Sequence, residues 1–451
     1  MSNTVERSLW SSRFAFIMVT AGAAVGLGNI WKFPYVAGNN GGGAFVILYL
    51  ICTLLVGIPA MIAELLIGRH GRQNAVNTLS ALALQAGHSS RWQGLGWLGS
   101  LTLLMVLSFY SVVSGWSIAY LYFAIKGTFV NISSNEIVAL WNNLLGSPIK
   151  LMAWHSAFMF LTMIVVALGV NAGIEKASKW MMPALLVILL LLVIYAAVVG
   201  DFAQAIHFLF SFKFSDLTSK AVIAAMGQAF FSLATGAGAI LIYGSYLSKK
   251  TNMVETVLII SVINVMVAIL AGLAIFPIVF SHGLQPESGP GLMFQILPIA
   301  FSHMPGSQAI AILFFILLLF AAWTSSISMG EPLVALLNER WKISRPKGAF
   351  YIGLLAWILG LLSVFSFNIW QQVKILSRWG IFECLTDFPI NVLLPLGAFL
   401  YCVFAGWVMA PKDVQNEFGD TMPKTYIAWR FAIRYLAPLG ILFVFVANFF
   451  F

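Results

Sequence analysis

Apolar runs of about twenty residues recur along the chain, parted by short polar or glycine-rich connections. In order they cover 14–37, 43–68, 94–125, 152–171, 177–200, 217–246, 253–281, 307–337, 349–368, 379–410 and 427–450. Each is long enough to cross a hydrocarbon core about 30 Å thick. Backbone groups in hydrocarbon must be satisfied within their own segment, so runs of this length are helices. The pattern predicts an all-α integral membrane protein of eleven transmembrane helices with no soluble domain between them.

Two runs are interrupted. TAGAAVGLGN (20–29) places Gly22, Gly26, Gly28 and Asn29 inside the first, and SLATGAGA (232–239) places Ser232, Thr235, Gly236 and Gly238 inside the sixth. A glycine weakens a helix by about 1 kcal/mol relative to alanine, and an asparagine at membrane depth needs a partner. If the first ten runs form two halves of five, the breaks in helices 1 and 6 correspond, and the halves run in opposite directions. The chain then reads as one transmembrane transporter domain over 1–451: a first inverted repeat over 1–200, a second over 217–410, and an extra helix at 427–450. Glycine-interrupted helices at matching positions point to a transporter's binding site at the membrane midplane. Unwinding frees carbonyls for a desolvated cation and leaves a half-helix N-terminus that favours an anionic group. Asn29 adds a neutral oxygen. Close packing of small residues is the other reading of Gly22 and Gly26, but it explains neither Asn29 nor the matched positions.

Composition narrows the class. At 61% hydrophobic and 9% charged residues, the chain is no water-soluble globular protein. Its formal charge of +9 does not point to nucleic acid, because 17 of the 24 Lys and Arg fall on alternate connections. That bias puts the N-terminus inside and, with an odd number of crossings, the C-terminus outside. Arg7 and Arg13 ahead of an apolar stretch also fit a cleaved signal, but only about seven apolar residues precede Ala21. Cys52, Cys384 and Cys402 are odd in number and lie in the runs, which makes them buried thiols rather than a disulfide framework. The histidines show no metal spacing, and no phosphate loop or nucleophilic triad is legible, so nothing supports an enzyme. Asn131-Ile132-Ser133 fits a glycosylation acceptor, relevant in a eukaryotic host alone.

AGAAVGLGNIWKFPYVAGNNGGGAF (21–45) resembles the first-helix signature of the neurotransmitter:sodium symporter family. The likeness continues through PAMIAELLIGR (59–69), GIEKASKWMMP (173–183), GQAFFSLATGAGAILIYGSY (227–246) and AAWTSSISMGEP (321–332). The eleven-span length is similar to that of the shorter bacterial members, among them hydrophobic amino-acid transporters.

The resemblance implies two sodium sites. One uses the Ala24 carbonyl, Asn29, Ser232, Asn264 and the substrate's own carboxylate. The other uses the carbonyls of Gly22, Val25 and Ala321 with the hydroxyls of Thr324 and Ser325. Helix hydroxyls also bond back to their own carbonyls, which is the plainer reading of Thr324-Ser325-Ser326. Around the substrate, the resemblance implies Ala24, Gly26, Gly28, Tyr110 and Ser232 at the amino-acid moiety. It places Val106, Val113, Phe231, Ala234, Ala237, Ser325 and Met329 at the side chain. Gly26 stands where amine carriers of the family have aspartate, so a zwitterion is favoured. The nearly apolar wall suits a neutral hydrophobic one. Ala237 replaces a phenylalanine of the leucine-selective member and Ala234 a serine, which leaves room for an aromatic ring.

Lys32 and Asp387 match the family's external gate, Arg7 and Glu339 the internal one, Trp10 a plug and Tyr246 a brace. Gly173 and Pro183 resemble a motif for local unwinding of the fifth helix, with a plain helix start as the rival reading. Tyr49, Gln228 and Ser232 of the family's chloride pocket are present, but Ala268 supplies neither hydroxyl nor carboxylate, so chloride independence is expected. Together these imply a sodium-coupled symporter importing neutral hydrophobic L-amino acids, aromatic ones among them, by alternating access across a bacterial inner membrane. A non-transporting amino-acid sensor and a proton-coupled carrier on the same fold are the alternatives.

Overall fold

The computed structural model describes residues 8–283, 291–376, 379–419 and 423–450, most of them helical. The first apolar run forms two helices, α1 (Arg13–Ala24) and α2 (Gly28–Asn39), bent by 52° at the break. Ser12 caps α1 by accepting from the Ala15 N–H, and Val25, with ψ at 89°, takes the chain off the helical path. There follow α3 (Gly43–Gly71), α4 (Ala75–Gln85), α5 (Ser90–Ile125), α6 (Ser134–Leu145), α7 (Pro148–Ala167) and α8 (Val170–Val199). After α9 (Phe202–Phe210), the sixth run gives α10 (Ser219–Ser232) and α11 (Ala239–Ser245). The chain continues through α12 (Met253–Ser281), α13 (Leu292–Ser302), α14 (Ser307–Trp341) and α15 (Arg345–Ser366). A small hairpin, β1 (Lys374–Leu376) and β2 (Trp379–Gly380), leads to α16 (Ile381–Val408), α17 (Pro411–Phe418) and α18 (Lys424–Val446).

Among the described residues nine helices are long and apolar enough to cross a membrane, ten with α1 and α2 taken as one bent span. The run 217–246, read from its glycines as a crossing with a break inside it, forms two helices, α10 and α11, which at 14 and 7 residues are each too short to cross alone. The cause is local. Ala234, Gly236 and Gly238 hold φ of +52°, +101° and +78°. Glycine enters this left-handed region freely, alanine at a cost of about 1–2 kcal/mol.

Other boundaries shift too. The fourth run ends at Ala167, and the fifth begins at Val170 instead of 177, after Gly169 turns the chain at φ +89°. Gly173 lies in a wide π-type turn at the start of α8 and Pro183 inside that helix, so α8 is continuous past both. Several connections carry helices (α4, α6, α9, α13, α17) where simple links were expected. Their apolar residues, Val76, Leu79, Ile137 and Ala205 among them, are buried against the bundle.

The distribution of polarity is that of a lipid-embedded bundle. Val187, Leu190, Leu191, Ile194 and Val198 of α8 face outward, Val198 at 80% exposure, while Asn29, Glu64, Gln228, Asn264 and Glu331 are at most 1% exposed. At the centre α5 and α14 pack along each other, α1 lies against α8, α12 and α14, and α11 lies against α3. The two breaks share one cavity with α5 and α14.

Candidate functional site

Neighbouring side chains, rather than helical bonds, satisfy the backbone at the breaks. The Leu27 N–H donates to the Tyr110 hydroxyl at 3.1 Å. Gln228 Nε2 donates to the Gly28 carbonyl at 2.7 Å, and the Gly236 N–H to Glu64 Oε1 at 2.5 Å. Each replaces a bond that unwinding removes. Close approach also explains two glycines: a Cβ on Gly28 would lie 2.7 Å from the Phe231 ring, and one on Gly26 would lie 3.0 Å from the Tyr110 hydroxyl.

The cavity is walled by Ala23, Ala24, Gly26 and Gly28 at the first break and by Phe231, Ala234, Ala237 and Ala239 at the second. Leu103, Val106 and Tyr110 of α5, Ser325, Ser328 and Met329 of α14, and Leu394 of α16 complete it. None of these residues is charged. Two expected contacts are not on this wall. Val113 sits a turn beyond Tyr110 on α5, and Ser232 turns away to Tyr49 and Asn264. Leu103 and Leu394 are additions that no motif announced, because an apolar residue in an apolar helix carries no distinguishing signal.

Beside the cavity lies a buried polar cluster. Asn29 Nδ2 donates to both the backbone and side-chain oxygens of Asn264, each at 2.8 Å. Asn264 Nδ2 in turn donates to Tyr49 Oη at 3.1 Å and to Ser232 Oγ at 3.2 Å. Asn29 Oδ1 and Gln228 Oε1 are buried acceptors with no donor. A second set joins α1 to α14: Ser325 Oγ donates to the Gly22 and Ala23 carbonyls at 3.3 and 3.4 Å, and a Cβ on Gly22 would lie 3.0 Å from Thr324 Cβ. Thr324 bonds back to the Phe320 and Ala321 carbonyls, as an ordinary helix threonine does, whereas Ser325 reaches across to another helix.

The two ends of the bundle differ. Near the first break, Lys32 Nζ lies 4.7 Å from the Phe231 ring centroid, and among the described residues it makes no direct ion pair with Asp387. At the opposite end Trp10 is buried, its Nε1 donating to the Tyr243 carbonyl at 3.0 Å and its N–H to the Tyr246 carbonyl at 3.1 Å. Tyr246 donates to Glu331 Oε1 at 2.8 Å, and Arg345 pairs with both oxygens of Glu331. Asn171 Nδ2 donates to the Leu9 carbonyl and Glu175 accepts from the Ser11 N–H, tying the segment before α1 to α8. Arg7 lies outside the described residues. Glu339 accepts from the N–H and Nδ2 of Asn74 at 2.6 and 3.0 Å. Glu64, Glu331 and Arg345 were not among the expected residues, yet a lone acid inside an apolar run was a signal available in the sequence.

Comparisons with known proteins give the family. The chain matches the model of the sodium:neurotransmitter symporter family over residues 7–143 and 145–450. It is 37% identical to the uncharacterized sodium-dependent transporter YhdH of Bacillus subtilis, over 97% of this chain and 96% of the relative. It is 35% identical to an uncharacterized sodium-dependent transporter of Haemophilus influenzae, over 100% of both chains. The crystal structure of MhsT in complex with L-phenylalanine has a similar fold, with a TM-score of 0.90, 37% identity, and coverage of 98% of this chain and 99% of that one. A whole-length match of this kind, with two helix breaks around one cavity, leaves one conclusion: the chain belongs to the sodium:neurotransmitter symporter family, a family of membrane transporters rather than enzymes.

Proposed function

We propose that the protein is a sodium-coupled symporter that carries neutral hydrophobic L-amino acids, aromatic ones included, by alternating access. The observation that carries this reading is the cavity: nearly apolar, free of acidic side chains, and faced by two helix breaks and the Tyr110 hydroxyl. The N–H and carbonyl groups at such breaks suit a carboxylate and an ammonium. An amine without a carboxylate would meet no counter-ion on this wall. The L-phenylalanine held by MhsT supports an apolar amino acid as the substrate here.

Two sets of neutral oxygens fit monovalent cations. Asn29 Oδ1, a buried acceptor without a donor, would hold one together with the Ala24 carbonyl, Ser232, Asn264 and the substrate carboxylate. The carbonyls of Gly22, Val25 and Ala321 with Thr324 and Ser325 would hold the second. A bound sodium supplies positive charge beside the substrate carboxylate and across the α1–α14 contact. The α1–α2 and α10–α11 pairs each count as one crossing in this reading, giving eleven helices, two opposed halves of five, and α18. The N-terminus then lies inside and the C-terminus outside. Many buried bonds shut the Trp10 end, while among the described residues Lys32 and Asp387 form no direct ion pair, an asymmetry that suits gates opening in turn.

The test is uptake of labelled phenylalanine into proteoliposomes under an inward sodium gradient. Accumulation that collapses when choline replaces sodium is the expected result. Binding without accumulation points to a sensor, and uptake indifferent to choline points to a proton-driven carrier.

A further inference from the structure

The unwound segment between α10 and α11 lines the cavity through Ala234 and Ala237, and its far side rests on two glycines of other helices. A Cβ on Gly99 of α5 would lie 2.5 Å from the Ala237 carbonyl oxygen. One on Gly397 of α16 would overlap the Gly236 carbonyl oxygen outright. Both obstacles are backbone, so no change of rotamer relieves them; the segment itself would have to move. Each glycine is one turn from a cavity-lining leucine on the same helix face: Leu103 follows Gly99 by four residues, and Leu394 precedes Gly397 by three. The leucines bound the cavity, and beside each the helix is notched where a backbone carbonyl enters.

We propose that Gly99 and Gly397 set the largest side chain the cavity admits, by letting the carbonyls of Ala237 and Gly236 sink into the faces of α5 and α16. Neither glycine lines the cavity, so both are positioning residues. The segment is the element that yields when a notch is filled. It holds three left-handed residues, and the Gly236 N–H is spent on Glu64 instead of a helical carbonyl. Displaced from α5 or α16, it carries Ala234 and Ala237 into the space between the breaks. Leu394 acts on the same dimension directly, since its side chain is part of the wall. This inference rests on the reading of the cavity as an amino-acid site.

The experiment is competition of unlabelled tryptophan, phenylalanine, leucine and alanine against labelled leucine on the purified full-length protein in sodium. Gly99→Ala and Gly397→Ala are expected to lower the tryptophan-to-leucine affinity ratio by about tenfold or more, the effect of a lost methylene's worth of space. Leu394→Ala is expected to raise that ratio, and to restore it when combined with Gly397→Ala. It also keeps the idea testable if an alanine at a notch prevents folding. Equal loss for all four amino acids, or an unchanged ratio in Leu394→Ala, overturns the inference. Absence of any amino-acid binding by the wild type overturns instead the reading of the site on which it rests.

Discussion

Asn29 gives both hydrogens of its side-chain amide to Asn264, one to the backbone oxygen and one to the side-chain oxygen, each at 2.8 Å. The two acceptors fix the orientation of the amide and leave Oδ1 buried without a donor. A buried acceptor in this state is costly unless something satisfies it, by about 1–3 kcal/mol. If sodium does so, Asn29→Ala should weaken sodium-stimulated phenylalanine binding by about tenfold or more. A sodium titration with an unchanged midpoint removes Asn29 from the site.

Thr324 and Ser325 test the second cation set. Both hydroxyls lie where α14 meets Gly22 of α1, and Ser325 bridges the two helices. The double variant Thr324→Val, Ser325→Ala keeps the volume of the contact nearly constant while removing two oxygens. It should abolish sodium stimulation of binding while the protein still elutes as a folded species in detergent. Sodium dependence equal to the wild type excludes these hydroxyls as ligands.

Ala237 tests the size of the cavity directly. Ala237 lines the wall, so a larger side chain there would take up space in the cavity. Tryptophan, phenylalanine or tyrosine should therefore compete at least as well as leucine in the wild type. Ala237→Phe should shift preference toward leucine and smaller residues. Failure of all three aromatic amino acids to compete in the wild type overturns this expectation.

What could be read in the sequence follows from the range over which each signal acts. Hydropathy is a local average, so the apolar runs are visible, and Gly22, Gly26, Gly28, Gly236 and Gly238 stand out because glycine is out of place in them. Periodicity does not mark helix ends, which is why the start of α8 at Val170 depends on Gly169 and its positive φ. The contact of Glu64 with Gly236 joins residues 172 apart, and that of Tyr246 with Glu331 joins residues 85 apart. Each acid was visible as an anomaly, but its partner was not. Leu394 carried no anomaly at all and Gly397 only that of a single glycine in an apolar run, since their roles come from what α16 packs against.

A charged clasp outside the cavity gives a pH-dependent prediction. Arg69 Nε and Glu417 lie 2.5 Å apart, with side chains 3% and 6% exposed, and His70 Nδ1 lies 3.0 Å from the other carboxylate oxygen. Burial acts to raise the Glu417 carboxyl, but the hydrogen bond to His70 and the Arg69 charge outweigh it and hold it below the usual carboxylate range. A lowered carboxyl pKa contributes stability that is fully present above the unfolded value, near about 4.3, and is lost as pH falls through the folded value. Glu417→Gln should therefore lower the Tm in detergent at neutral pH, in keeping with about 3–5 kcal/mol for breaking a buried pair. The gap between variant and wild type should narrow below about pH 4. A gap that stays constant under acid excludes the charge as its cause.

The last prediction concerns chloride, where the chain departs from its family. Ala268, fully buried on α12, offers no ligand to an anion. The remaining donors have partners of their own: Gln228 Nε2 gives one hydrogen to the Gly28 carbonyl at 2.7 Å, Ser232 Oγ donates to the Ala229 carbonyl at 3.3 Å, and Tyr49 Oη lies 3.1 Å from Ser232 Oγ, within reach to donate to it. An anion would have to draw these groups away from partners they hold, and would gain one contact fewer in return. Losing a hydrogen bond to a charged group costs about 1.5–3 kcal/mol, so chloride should bind too weakly to be required. Uptake with gluconate in place of chloride, at fixed sodium, is expected to match uptake in chloride. Ala268→Ser restores a hydroxyl beside Tyr49 and Ser232, and should create a chloride enhancement absent from the wild type. A clear loss of wild-type uptake in gluconate would mean that the engaged donors do turn to an anion, and that the alanine is compensated elsewhere.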